Sequence, residues 1–181
     1  MNHIHEVIRA RYSTVIFSSK KIEDEKLASL FEAARWAPSA FNEQPWRFIV
    51  GVKSKDENYQ KIYDCLMEAN QAWAKFAPVL VLSIASVNSS VTGKPNRFSQ
   101  YDTGMAVGNL LAQATFLDLY VHQMGGFSVS NAREFFEIGD EYEVMAAMAI
   151  GYLGDIELFP EYMQERELKE RRRKSIDDIL M

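Results

Sequence analysis

Chemistry in this 181-residue chain can start from few places: three histidines, one cysteine, one polar loop bracketed by prolines and one cationic cluster. His3 and His5 stand two residues apart, and His122 stands alone in an apolar stretch. That pattern offers neither a base beside a nucleophile nor a clustered set of metal ligands, so each histidine reads as structural. Cys65, the single cysteine, rules out an internal disulfide and any cysteine-based metal cage. Gly93-Lys94 lacks the glycine that precedes a phosphate-binding lysine loop, and no G-x-G-x-x-G follows a strand-like run. Asp177-Asp178 is an acidic pair within a charged tail, where a solvated face is the simpler reading.

The cationic cluster is Lys169-Glu170-Arg171-Arg172-Arg173-Lys174, in a chain whose 20 Lys and Arg against 25 Asp and Glu give a net charge of −5. Arginine suits bidentate capture of phosphate because its planar fork presents paired donors. On its residues alone the cluster fits a solvated basic face, a site for a small phosphorylated ligand or a nucleic-acid contact. The polar loop is Ala37-Pro38-Ser39-Ala40-Phe41-Asn42-Glu43-Gln44-Pro45-Trp46. Ser39 brings a hydroxyl there, and Asn42 both a donor and an acceptor. A pre-shaped binding loop and a plain structural turn capped by Asn42 remain equally open.

Hydrophobic spacing outlines the elements that must position these groups. Residues 3–12 read as a short amphipathic helix, and Asp24 as the N-cap of a second helix carrying Leu27, Leu30, Phe31 and Ala34 up to Pro38. Arg47 to Val52 reads as a strand, Tyr59 to Lys75 as one helix, and Val79 to Ala85 as a central strand. Residues 86–98 form a loop. Tyr101 to Leu119 reads as a central helix coated with small and apolar residues, suited to a core or a subunit interface. Tyr120 to Gln123 and Val144 to Leu153 read as strands, Met124-Gly125-Gly126 as a turn and Asn131 to Phe136 as a short helix. The sum is an α+β layered domain over residues 1–154, followed from Asp155 by a charged arm, 155–181, that must dock to be ordered.

Composition narrows the class further. At 48% apolar and 25% charged residues the chain has the make-up of an ordinary globular domain. Its acidity argues against a broadly basic nucleic-acid binder and against polybasic membrane attachment. No run of about 18 apolar residues occurs, and Met1-Asn2-His3-Ile4-His5-Glu6 does not lead into an apolar stretch, so neither export nor a membrane span is expected. The lone cysteine points to a reducing cytoplasm.

Taken in order, several short motifs resemble those of the nitroreductase family of FMN-dependent oxidoreductases, and they cover the chain from end to end. Arg11-Tyr12-Ser13 with Phe17 is similar to the family's R-x-S…F, and Pro38-Ser39 through Asn42-Glu43-Gln44-Pro45-Trp46 to its P-S-x-x-N-x-Q-P-W loop. Ala77-Pro78, Tyr101-Asp102-Thr103-Gly104, His122-Gln123-Met124-Gly125-Gly126-Phe127, Gly151-Tyr152, and Arg171-Arg172-Arg173-Lys174 before Ile176-Asp177-Asp178-Ile179 also match. Val15 departs from the family by standing where many members carry Lys or Arg, and Trp73 stands where some carry a cation.

The resemblance implies a nitroreductase-like layered fold, a central mixed or antiparallel sheet flanked by helices, in a domain-swapped homodimer with two shared FMN sites. Arg11, Ser13, Gly125, Gly126, Arg171 and Arg173 would serve a flavin from one subunit, and Pro38, Ser39, Ala40 and Asn42 from the other, with Tyr12, Asn70 and Met124 also among the flavin-binding residues. It further implies ping-pong hydride transfer from NADH or NADPH through flavin N5 to a small-molecule acceptor such as a nitroaromatic or quinone, with no side-chain catalyst. The backbone N–H of Gly125 would face N5. A flavin-storing or flavin-sensing protein with little turnover is the alternative under the same resemblance.

Overall fold

The computed structural model describes residues 3–181; Met1 and Asn2, where the expected core domain begins, lie outside the described residues. Four strands build one sheet: β1 (Trp46–Val52), β2 (Val79–Ser86), β3 (Tyr120–Met124) and β4 (Tyr142–Gly151). Their order is β1-β2-β4-β3 and every pairing is antiparallel, which resolves the mixed-or-antiparallel expectation. The continuous apolar run of β2 makes it a central strand buried on both faces. Because successive side chains alternate, Leu80, Leu82 and Ile84 enter one core while Val79 and Val81 enter another.

The first core is closed by α3 (Asn58–Cys65), α4 (Glu68–Ala74), α6 (Val129–Phe135) and Met163 of α7 (Glu161–Glu167). The second is closed by α2 (Asp24–Arg35) and α5 (Ser99–Phe116). Helix α5 buries Asp102, Thr103, Ala106, Val107 and Leu110, while Gly104 and Gly108 have open space beside them and Tyr101 and Phe116 are exposed. Within the arm, Ile156 and Phe159 pack against the first core before α7, and residues 168–181 run on without regular structure.

Three readings change. The expected single helix over 59–75 is two, because Leu66 turns extended and bridges Phe127, while Met67 N–H donates to the Gly126 carbonyl at 3.0 Å and Ser128 N–H to that of Cys65 at 2.7 Å. Backbone groups that would have continued the helical ladder serve the 126–128 segment instead. The first helix, α1, spans only Glu6–Ala10, since Arg11 is already extended; the chain from Arg11 to Phe17 then runs toward an isolated bridge between Phe17 and Leu153. Asp24 is the first residue of α2 rather than its cap, and Glu23 takes the cap position without a side-chain bond.

Candidate functional site

The early end of α1 turns residues 11–15 into an extended segment lying between β3 and α7. His122 of β3 holds the Thr14 carbonyl at 2.7 Å through Nδ1, and Glu167 at the end of α7 accepts from Thr14 Oγ1 at 2.7 Å and from Val15 N–H at 3.0 Å. These bonds reach from the middle and the end of the chain to one buried segment. Directly after Glu167 the chain carries Lys169, Arg171 and Arg173 into a cavity of about 250 Å³, which Arg11, Ser13, Val15, His122 and Arg166 also line.

Electrostatically this cavity is unbalanced. Arg11, Arg171 and Arg173 have no carboxylate within salt-bridge distance among the described residues. Burial first, then the charges of Arg171 and Arg173, hold the Arg11 guanidinium below its ordinary range. Arg11 Nη1 donates to Ser13 Oγ at 3.3 Å, and Arg171 Nη2 to the Arg9 carbonyl at 2.9 Å, which orients the cluster without neutralising it. Tyr12 packs edge-on against Tyr120 at 5.1 Å, and burial together with the Glu167 carboxylate keeps its phenol protonated far above the usual range. A larger cavity of about 560 Å³, with Ile16, Leu153 and Ile156 in its wall, shares Tyr12, Glu167, Lys169 and Arg171 with the first.

Two residues beyond His122, about 7 Å along a strand, β3 ends and the turn Met124-Gly125-Gly126 begins. Met124 is buried. Gly125 is exposed, and a Cβ built on it meets nothing within 4 Å, so space lies over this backbone. Gly126 is different: a Cβ there would stand 2.7 Å from Asn70 Nδ2, which donates to the Gly126 carbonyl at 2.9 Å. Its missing side chain is what lets Asn70 of α4 grip the turn.

Ser39 and the short 3₁₀ turn Ala40–Asn42 occupy another surface, and neither they nor Pro38 line the arginine cavity. Ala40 N–H donates to the buried Asp102 carboxylate of α5 at 3.0 Å, and Ser39 Oγ accepts from Gln44 N–H at 3.0 Å. Glu43 accepts from Ser90 N–H at 2.8 Å, Ser90 Oγ at 2.7 Å and Ser89 Oγ, which pulls its carboxyl below the usual range. Phe41, Asn42 and Gln44 adopt left-handed backbone with φ of 53°, 57° and 47°, conformations unusual for residues other than glycine. These bonds hold that shape and leave Phe41 93% exposed.

Of the residues singled out in the sequence, Arg11, Tyr12, Ser13, Arg171 and Arg173 thus converge, and Asn70 joins Gly126 under the turn that Met124 opens. Pro38, Ser39, Ala40 and Asn42 stay apart from them within one chain. Sequence reasoning missed Glu167 and Arg166, which carry no local signal, and read His122 as structural although it lines the cavity. Among the described residues no group of three or more His, Cys, Asp or Glu side chains is placed to hold a metal ion, and no helix is long and apolar enough to cross a membrane.

Comparison with known proteins sets this geometry in context. The profile described as the Nitroreductase family matches residues 8–152. A solved structure described as an oxidoreductase containing FMN is 33% identical and superposes with a TM-score of 0.92, covering 99% of this chain and 91% of its own. A nitroreductase family protein from Clostridium difficile 630 is 26% identical with a TM-score of 0.75, covering 100% and 98%. A protein of Archaeoglobus fulgidus, provisionally named as an NADH dehydrogenase/NAD(P)H nitroreductase, is 27% identical over 163 residues, 86% of this chain and 88% of its own length.

Proposed function

The chain belongs to the nitroreductase family, and from that premise we propose that it is an FMN-dependent oxidoreductase, oxidising NADH or NADPH and reducing a small conjugated acceptor such as a nitroaromatic or a quinone. The observation that carries this reading is the cavity where Arg11, Arg171 and Arg173 gather without a carboxylate partner among the described residues. Their mutual repulsion is relieved by a phosphate group, whose oxygens match paired guanidinium donors. The space over Gly125, just past the end of the strand that carries His122, suits a flat ring approaching the backbone. When bound, FMN supplies a ring that accepts hydride at N5 and returns it to a second substrate, a ping-pong exchange.

The protein's part is to bind, orient and exclude water. The three arginines hold the phosphate, with Ser13 and Tyr12 beside them. Asn70 fixes the Met124-Gly125-Gly126 turn, so that the Gly125 N–H, a donor with no rotamer entropy to lose, is presented to the ring. The Pro38, Ser39, Ala40 and Asn42 loop reaches the flavin from a second copy of the chain, which accounts for its distance from the cavity in one chain. That homodimer packs through the open Gly104 and Gly108 face of α5 with Tyr101 and Phe116, and the arm 155–181 completes the phosphate site. A reducing cytoplasm suits the lone buried thiol of Cys65.

The test is steady-state kinetics of the FMN-loaded protein with NADH or NADPH and a quinone, with light scattering on the same sample. Turnover giving parallel double-reciprocal lines, from a dimer, is the expected result. Tight FMN binding without turnover on either nucleotide refutes the enzyme and leaves flavin storage.

A further inference from the structure

The sequence treats His122 as a lone structural histidine, yet its ring forms part of the wall of the arginine cavity. Its surroundings are specific. The ring lies against Trp73 of α4 with centroids 4.3 Å apart, and Nδ1 is 2.7 Å from the Thr14 carbonyl oxygen. A carbonyl only accepts, so the neutral ring carries its proton on Nδ1. Nε2 is then a bare acceptor, with no hydrogen-bond partner among the described residues.

Every element packed around this ring contributes to its charge environment. The segment after α1 brings Arg11 and Tyr12, α7 brings Arg166 and Glu167, and the chain beyond it brings Lys169, Arg171 and Arg173. Tyr120 lies two residues earlier on the same strand, and Trp73 is uncharged. Five cations face one carboxylate, and that carboxylate is engaged by Thr14 and Val15. Burial, and after it the charges of Arg166 and Arg11, weigh against a second proton on the ring, more than the Thr14 and Glu167 contacts favour it. A phosphate monoester in the same cavity reverses this balance, because a dianion outweighs the cations it pairs with and rewards any additional positive charge beside it.

We propose that His122 is a proton-gated binding residue of this site: neutral while the cavity holds no anion, it takes a proton from solvent onto Nε2 when a phosphate monoester enters and donates it to a phosphate oxygen. The proton comes from water or buffer, Nδ1 keeps its bond to Thr14, and no other bond changes. FMN capture is then coupled to proton uptake, and it tightens as pH falls toward 6. This rests on the reading of the cavity as the FMN phosphate site.

The experiment is calorimetric titration of the folded apoprotein with FMN at pH 7.5, in phosphate-free buffers that differ in ionisation enthalpy, so that protons exchanged per FMN are counted. Wild type and His122→Gln are compared, with riboflavin as the ligand that lacks the phosphate. Any proton lost by the FMN phosphate itself is common to both proteins and cancels in the difference. Wild type should take up about half a proton or more beyond His122→Gln with FMN, and no more with riboflavin. Equal counts for the two proteins with FMN, or the same excess with riboflavin, overturn the assignment. If His122→Gln does not fold, the ring nitrogens of wild-type His122 are read by ¹⁵N NMR: two N–H groups with FMN and one without it are expected, and a ring unchanged by FMN refutes the idea. Failure of wild type to bind FMN overturns the functional reading as well, whereas binding without the proton difference overturns only the role of His122.

Discussion

Glu167→Ala removes the carboxylate that hydrogen-bonds α7 to the segment beneath it. Glu167 accepts from Val15 N–H at 3.0 Å and from Thr14 Oγ1 at 2.7 Å, and both donors belong to residues almost wholly withdrawn from solvent, 1% and 0% exposed. Thr14 Oγ1 has a fallback, the Ile16 carbonyl at 3.4 Å, whereas the Val15 amide has no other partner among the described residues. One buried donor left unsatisfied costs about 1–3 kcal/mol, and a weakened hydroxyl bond adds a fraction of that. A loss of about 2 kcal/mol lowers Tm by about 4–8 °C in a domain of this size. Thermal and urea unfolding of apoprotein measure it, with an unchanged urea slope showing that the unfolded state is the same. Because Glu167 immediately precedes the residues that carry Lys169, Arg171 and Arg173 into the cavity, the variant should also bind FMN more weakly. Glu167→Gln, which keeps one acceptor oxygen, should lose about half as much stability. If Glu167→Ala unfolds at the wild-type temperature and urea midpoint, these bonds do not hold the arm and the reasoning fails.

Gly126→Ala should cost about 1–2 kcal/mol, since its Cβ would stand 2.7 Å from Asn70 Nδ2 and break the 2.9 Å bond to the Gly126 carbonyl; Gly125→Ala, with nothing within 4 Å, should unfold like wild type while weakening FMN in a titration. In flavin-free protein burial places the His122 pKa below its ordinary 6.5, so the unfolded chain binds more protons: stability should be full above about pH 6.5 and decline as pH falls below it, and His122→Gln should flatten that stretch of the Tm-against-pH curve. Tyr59 donates to the Ala77 carbonyl at 2.9 Å from a buried site that pushes its phenol from 10.0 up to about 12. Its contribution should therefore be present below about pH 10 and lost as pH rises through about 12, and Tyr59→Phe should lower the urea-derived stability by about 1 kcal/mol.

The sheet was legible wherever one residue's environment was written in its neighbours. Val79 to Ala85, apolar without interruption, can only be a strand covered on both faces, and that is β2. The break between α3 and α4 was not legible: Cys65-Leu66-Met67 holds no glycine or proline, and the competing bonds come from Gly126, Phe127 and Ser128, some 60 positions away. Local propensity carries no record of such pairing. The site divides along the same line. The arginine cluster announces itself through its charge in an acidic chain, and the proline-bracketed loop through its composition. Glu167 and His122 acquire their places only when the chain folds them onto Val15 and Thr14, 152 and 108 positions away. Gly126 shows the intermediate case, where the residue was singled out but its reason, room for Asn70, exists only in three dimensions.

The proposed function rests most directly on the arginine cavity as the seat of the FMN phosphate. Equilibrium titration of apoprotein with FMN, followed by quenching of flavin fluorescence in wild type and in the Arg171→Ala/Arg173→Ala variant, tests it. Wild type should saturate at one FMN per chain, and the folded double variant should bind about a hundredfold more weakly or worse, since two charge-assisted contacts are lost. Equal FMN affinity in wild type and a folded double variant would contradict it.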